Sequence, residues 1–390
     1  MMRRFILGIL SMIFRLFPIR ENVIVLESEG DFSDNSYALF DYLMRNQLST
    51  GYAFVWLVDN LKNTELLFKN SVKLISKSKK SHFFKKYYFL SICKYYIFDH
   101  NNYFEYLNLK KKNDQYIVDL WHGCGFKFSE YATRKSNVDY LFTVSELFSE
   151  LHAKLFNISK DHVFDYGYPR NDYFYMPLND SQVKVNDEYA KYSKVLFWMP
   201  TFRRSYNKSI DEVYFENRTG LPILDTEEKL GAFDEFLKNI NVLCIFKIHH
   251  LQAALEPFQK KYSNIIIVND DDIHKMGLQQ YQYVMLSDLL VTDYSSIATD
   301  YLLLNKPMVF TLDDYDEYEK SRGFLCDNVK QYLPGYHVYN ESEFFEAIKE
   351  IAEGKDPYKK QRMDIMSKMH THIDGDSCSR IVDLLGIAKR

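Results

Sequence analysis

Ten short apolar runs recur along this chain, each closed by polar or turn residues: Val23–Leu26, Ala53–Leu57, Tyr95–Phe98, Tyr116–Leu120, Tyr140–Val144, Val195–Met199, Val242–Ile248, Asn264–Val268, Leu289–Thr292 and Pro307–Phe310. Between them lie stretches with helical spacing, such as Tyr37–Arg45, Lys135–Asp139, Ser145–Phe156, Leu230–Lys238, Gln279–Ser287 and Ala298–Leu304. Strands alternating with helices over the whole length predict an α/β fold with parallel sheets. The runs are continuous rather than alternating, as strands buried on both faces require.

The alternation pauses at Pro177–Asn186, a polar segment without clean periodicity, and resumes at Val195. A domain boundary is expected there, giving a terminal segment 1–20, a first domain 21–185 and a second domain 186–390. Two doubly wound domains facing a central cleft would hold ligands at the carboxyl ends of their strands. A chain of 390 residues that is 46% apolar can bury cores of this kind. Its five cysteines are odd in number, widely spaced and form no CxxC, which argues against a disulfide framework and a zinc site. A reducing cytoplasm fits that usage.

Phe5–Phe17 is apolar but only 13 residues long, broken by Arg15 and followed by Pro18. A spanning helix needs about 20 such residues. On a helix Arg4, Gly8, Ser11 and Arg15 form one narrow polar face, which reads as an amphipathic helix lying in a membrane interface. A helix packed on the protein body and a signal peptide are the alternatives. Leu61–Lys112 adds 12 lysines against three acids, Glu65, Asp99 and Glu105. That excess suits a solvated face or an anionic membrane surface. No nucleic-acid-binding pattern accompanies the lysines, so nucleic acid is not an expected partner.

Four clusters share one grammar, an apolar strand followed by residues able to do chemistry. Ile117–Trp121 leads into His122-Gly123-Cys124-Gly125-Phe126-Lys127. A histidine at a strand end is placed to act as a general base, and the glycines let backbone approach a ligand. A buried structural histidine is the competing reading. Cys124 as a thiol nucleophile lacks a second histidine nearby in sequence. Val195–Met199 leads into Pro200-Thr201-Phe202-Arg203-Arg204, suited to phosphate or to an exposed basic turn. Val242–Ile248 leads into His249-His250, of which one at most faces a given side. Leu289–Thr292 leads through Asp293-Tyr294-Ser295-Ser296 into a helix. The two serines are placed to receive an anion or simply to cap that helix. Arg322-Gly323 is a further candidate, and Asp270-Asp271-Asp272 reads as a solvated loop. No acidic triplet stands where a divalent ion would sit, so no metal and no cofactor are expected.

Taken in order, these clusters resemble the CDP-glycerol glycerophosphotransferase family of teichoic acid and capsule synthesis. The resemblance rests on Phe17-Pro18-Ile19, Ser33-Asp34-Asn35, Trp121-His122-Gly123, Gly167-Tyr168-Pro169-Arg170-Asn171-Asp172, Pro200-Thr201-Phe202-Arg203, His249, Thr292–Ser296 with Asp300-Tyr301, and Arg322-Gly323-Phe324. It implies a GT-B-like pair of domains and transfer of an alditol phosphate from CDP-glycerol or CDP-ribitol to a hydroxyl of a lipid-linked or polymeric acceptor, with release of CMP. By position it implies His122 and His249 as catalytic residues. Substrate contacts would come from Gly123, Cys124, Gly125, Phe126, Arg170, Pro200, Thr201, Lys247, Ile248, Ser295, Ser296, Asp300 and Arg322. With the terminal amphipathic helix, peripheral attachment to the cytoplasmic face of the membrane is expected. Cys124-Gly125-Phe126 stands where the family more often has Thr-Pro-Leu, and His250 where it has Pro, so the donor alditol stays open. A GT-B glycosyltransferase using a sugar nucleotide, and a non-catalytic scaffold that kept a nucleotide fold, are the competing readings.

Overall fold

The computed structural model describes residues 2–61, 72–128, 137–201, 219–248 and 256–387, without side-chain detail for residues 2–6 and 9. The chain divides into two compact units. The first comprises residues 1–122, 131–175 and 370–390, and the second residues 123–130 and 176–369. This division differs from a linear split at residue 185. The C-terminal segment returns to the first unit, and the short segment after His122 belongs with the second.

In the first unit, a seven-stranded sheet contains β1 (Arg20–Glu27), β2 (Ala53–Val58), β3 (Val72–Ser76), β4 (Cys93–Phe98), β5 (Tyr116–Asp119), β6 (Tyr140–Phe142) and β7 (Val163–Phe164), ordered β3-β2-β1-β4-β5-β6-β7. In the second, a six-stranded sheet contains β8 (Lys194–Trp198), β9 (Val242–Lys247), β10 (Ile265–Val268), β11 (Leu289–Thr292), β12 (Met308–Thr311) and β13 (Tyr336–Val338), ordered β10-β9-β8-β11-β12-β13. Every pairing is parallel. Both sheets are doubly wound as expected. The order reverses between β1 and β4 in the first and between β8 and β11 in the second.

Burial explains the continuous apolar runs. Along β1, Val23 and Val25 join one core while Ile24 and Leu26 join the core on the opposite face. The helix Ser377–Leu385 completes the latter core through Cys378, Ile381, Val382 and Leu385. Its first turn is fixed by Asp172, whose carboxylate accepts the N–H groups of Ser377 at 3.0 Å and Cys378 at 2.8 Å. In the second unit Trp198 and Phe233 pack edge to face, and Phe233 stacks on Phe344.

Four local expectations are corrected. The polar segment 177–186 contains most of a helix, Asp180–Tyr189, started by a reciprocal cap between Asn179 and Gln182. Asp270–Lys275 is likewise helical rather than a loop, because Asn269 and Asp272 cap it and three acids sit at its positive end. The described part of the expected helix 135–139, residues 137–139, is not helical. Strands β3, β7 and β13 have no counterpart among the ten runs; each is two to five residues long.

The N-terminal segment forms a helix, Met2–Phe14. Leu7 and Ser11 face the protein, and Ser11 is not part of a solvent-facing polar stripe: it is 1% exposed, and its Oγ accepts the N–H of Lys110 at 2.9 Å. Phe14 packs on Tyr87 and Phe17 on Tyr88. Met12, Ile13 and Leu16 remain exposed at 62%, 49% and 83%. Among the described residues no helix is long and apolar enough to cross a membrane.

Candidate functional site

In open α/β sheets ligands collect beyond the strand ends at the point where strand order reverses. In the first unit that point lies between β1 and β4, with β5 alongside. The turn after β5 carries His122. Its Nδ1 lies 2.9 Å from the carbonyl oxygen of Asp99, just past β4. A carbonyl only accepts, so Nδ1 carries the proton and Nε2 presents a lone pair. Burial pushes the His122 pKa down to about 4, against the opposing pull of the Asp99 hydrogen bond and of Glu29, so the ring is neutral at physiological pH. A neutral imidazole with a bare Nε2 is the form that accepts a proton.

The sequence grammar applied to β4 also locates residues not singled out from sequence alone. Asp99 and His100 follow the Tyr95–Phe98 run. The His100 ring lies 5.6 Å from that of His122, and its Nδ1 is 3.4 Å from Glu29 Oε2. Asp99 is fully buried, and its carboxylate accepts the N–H groups of Ser36 at 2.9 Å and Glu29 at 3.3 Å. Burial, with Asp34 and Glu27 nearby, pushes its pKa well above the usual carboxylate range. A side-chain carboxylate therefore occupies the start of the helix Asp34–Arg45, where doubly wound domains often hold a phosphate. That end of the first unit is thus filled by a buried carboxyl group rather than left open as an anion cradle.

Arg170, expected among the nucleotide contacts, is 4% exposed. Its Nη1 donates to Asp34 Oδ1 at 2.6 Å and to the carbonyl of His122 at 3.0 Å, so it supports the backbone at His122.

The second unit gathers most of the other candidates at its own reversal point. After β8, the N–H and the Oγ1 hydroxyl of Thr201 both donate to the buried Asp293 carboxylate, each at 2.7 Å. Lys127 Nζ donates to Thr201 Oγ1 at 3.3 Å. After β11, Ser295 and Ser296 are half-buried, and Ser296 makes no side-chain cap to the five-residue helix Ile297–Tyr301. The segment after His122 lies against this turn. A Cβ added to Gly125 would stand 3.1 Å from Ser296 Cβ and 3.3 Å from its Cα, so only glycine permits the approach without displacing the serine turn. Phe126 stacks on Tyr332, and Lys127 bridges to Phe324. Those pairings bring Gly323 and Arg322 to the same segment, with the Arg322 guanidinium over the Tyr318 ring.

Other expected residues are held apart from an open role. Cys124 is fully buried, unsuited to a thiol nucleophile. Asp300 is also buried, and its Oδ2 accepts the Tyr281 hydroxyl at 2.5 Å. Lys247 pairs with Asp270 at 3.1 Å, and Ile248 is buried beneath it. Pro200 is half-buried next to Thr201. His249, His250, Arg203 and Arg204 lie outside the described residues. Among the described residues no group of three or more His, Cys, Asp or Glu side chains is arranged to hold a metal ion.

Comparison with known proteins adds an independent line. A family model described as CDP-Glycerol:Poly(glycerophosphate) glycerophosphotransferase matches residues 9–386. The chain is 26% identical over 395 residues to a teichoic acid poly(ribitol-phosphate) polymerase of Bacillus spizizenii, covering 95% of this chain and 57% of that protein. It is 25% identical over 402 residues to a teichoic acid ribitol-phosphate primase of the same organism, covering 95% of this chain and 92% of the primase. A solved structure of the wall teichoic acid polymerase TagF superposes with a TM-score of 0.77 at 19% identity, over 98% of this chain and 93% of that one. That similarity establishes the GT-B-like fold.

The protonation state of His122 is open to direct measurement. In a protein labelled with ¹⁵N-histidine, the resonance lost in His122→Gln should remain that of a neutral ring from pH 8 to about pH 5, protonating only toward the depressed pKa of about 4. Titration at the ordinary histidine value of about 6.5 would contradict the buried, carbonyl-tied geometry.

Proposed function

Because this chain belongs to the CDP-glycerol:poly(glycerophosphate) glycerophosphotransferase family, we propose that it transfers glycerol phosphate, or a related alditol phosphate, from a CDP-alditol to a hydroxyl of a teichoic-acid-type acceptor. The observation that carries this reading is the neutral His122 with its proton committed to Asp99 and its Nε2 able to accept another.

The acceptor hydroxyl gives its proton to His122 Nε2 as its oxygen bonds to the phosphorus that bears the alditol. The bond from that phosphorus to the CMP oxygen breaks, and CMP leaves with the negative charge. Such transfers need little covalent participation by the protein; placement and charge stabilisation dominate. Ser295, Ser296 and the backbone of Gly123–Phe126 contact the diphosphate, with Lys127 held in place by its hydrogen bond to Thr201, which Asp293 fixes. His249 stabilises the leaving CMP. Asp293, Asp300 and Arg170 keep these groups in place from below. The proposal uses no resident metal or cofactor.

The N-terminal helix supports a reading in which the protein attaches to the cytoplasmic face of an anionic membrane. Met12, Ile13 and Leu16 offer an exposed apolar edge, and exposed lysines of the stretch 61–112 such as Lys79, Lys80 and Lys85 supply charge, whereas Lys77 and Lys86 are buried. Apolar burial plus electrostatic attraction is how interfacial helices bind. Because Leu7, Ser11 and Phe14 are spent on the protein body, the membrane-facing edge is narrower than an isolated helix would offer.

Three measurements test these readings. Ser295→Ala/Ser296→Ala should raise the KM for CDP-glycerol about tenfold or more, as expected for lost hydrogen bonds to a charged group; an unchanged KM would leave the serines without a donor role. Parent activity with a sugar nucleotide in place of the CDP-alditol would favour glycosyl transfer instead. For the membrane, Met12→Glu/Leu16→Glu alters only exposed positions. It should abolish co-sedimentation with vesicles containing phosphatidylglycerol, whereas undiminished sedimentation would remove this helix from the attachment.

A further inference from the structure

The residue immediately before His122 is strained. Trp121 has φ +53°, a left-handed backbone that bulky side chains rarely adopt. Such a conformation persists only where its surroundings over-determine it, and it is often found where a functional group must be aimed. The surroundings here are specific. Asn35, the second residue of the helix Asp34–Arg45, is fully buried. Its Nδ2 donates to the carbonyl of Trp121 at 2.7 Å and lies 3.4 Å from that of Leu120. Its Oδ1 accepts the N–H of Arg170 at 3.1 Å. Arg170 then donates to the next carbonyl, that of His122. Three consecutive carbonyls, at 120, 121 and 122, are therefore each met by a side-chain donor, two of them by one asparagine.

We propose that Asn35 is the positioning residue of His122: by holding the left-handed turn at Trp121, it fixes where the imidazole stands and which nitrogen faces the acceptor. The inference rests on the reading of His122 as the base. The amide orientation is dictated by its partners, since exchanging Oδ1 and Nδ2 would set oxygen against two carbonyls and nitrogen against an N–H. The Trp121 ring in turn lies against the His122 ring, with centroids 3.9 Å apart, and packs edge to face on Phe156. If the turn relaxes to an ordinary backbone, the indole leaves that slot and Nδ1 swings away from the Asp99 carbonyl. The ring then loses its fixed tautomer, and Nε2 is no longer held as the acceptor. Asp99 secures the same arrangement from the other side, because its carboxylate is tied to Ser36, the residue after Asn35. The start of one helix thus holds both walls of the histidine.

Asn35→Asp keeps shape and the acceptor for Arg170 but loses the donor; Asn35→Ser shortens the side chain and removes both. Each should lower kcat about 10²-fold, as a misplaced catalytic group does, while the KM for CDP-glycerol changes less than about twofold. Spectra of ¹⁵N-histidine protein supply a readout that needs no substrate. The parent should show His122 as a single neutral tautomer protonated at Nδ1, and both variants should show exchange between tautomers or protonation near the ordinary pKa. Variants that keep the parent tautomer and kcat would overturn the proposal. So would a parallel loss of CDP-glycerol binding and kcat, which marks a purely structural asparagine. Should neither variant fold, the parent spectrum still decides, because a parent ring that exchanges freely between tautomers is incompatible with a positioned one. Should the parent fail to turn over CDP-glycerol, the donor assignment falls while the tautomer measurement continues to judge Asn35.

Discussion

One hydrogen bond organises the strand ends of the first unit, from the His122 ring to the carbonyl oxygen of Asp99. Because a main-chain carbonyl cannot donate, the bond assigns the ring proton and leaves one nitrogen for chemistry. Because the carbonyl belongs to the end of β4 while His122 follows β5, the bond ties two adjacent strand ends together. Burial keeps the ring neutral, and the nearby Glu29 favours the charged form that arises when a proton is accepted. A base that is neutral at rest and has an anion within reach meets both demands of proton abstraction.

The two units use the same topology for different ends. Each sheet reverses its order once, and each places its chemistry past the strands flanking the reversal. In the first unit, where phosphate often sits, the Asp99 carboxylate takes the backbone N–H of Ser36. In the second, Thr201 is locked to Asp293 and the serine turn is approached closely by Gly125. The chain passes from one unit to the other between His122 and Gly123. The His122-Gly123 step is thus the point where the chain leaves the first unit.

Most of the scaffold was legible in the sequence because parallel strands buried on both faces leave unbroken apolar runs. Nine of the ten runs in the list lie within a residue or two of an observed strand at both ends, and Val23–Leu26 sits inside the longer β1. What escaped had too little length to register, as with the two residues of β7, or depended on partners far along the chain. Caps hid two helices: Asn179–Gln182 and Asn269–Asp272 start them in segments whose composition reads as loop. The roles of Asn35 and Arg170 were invisible for a different reason. Each acts through hydrogen bonds spanning 48 to 136 positions, and no local pattern records them. The Asp99–His100 pair was readable by the strand-end grammar, yet without coordinates nothing distinguished it from an ordinary polar turn.

Chemistry at His122 is the hinge on which the functional reading turns, and acceptor-dependent CMP release by His122→Gln at saturating CDP-glycerol decides it. The expected outcome is a fall of about 10²–10⁴-fold with CDP-glycerol binding retained, the usual contribution of a general base. A rate within about threefold of the parent would contradict the assignment and return His122 to the status of a structural histidine.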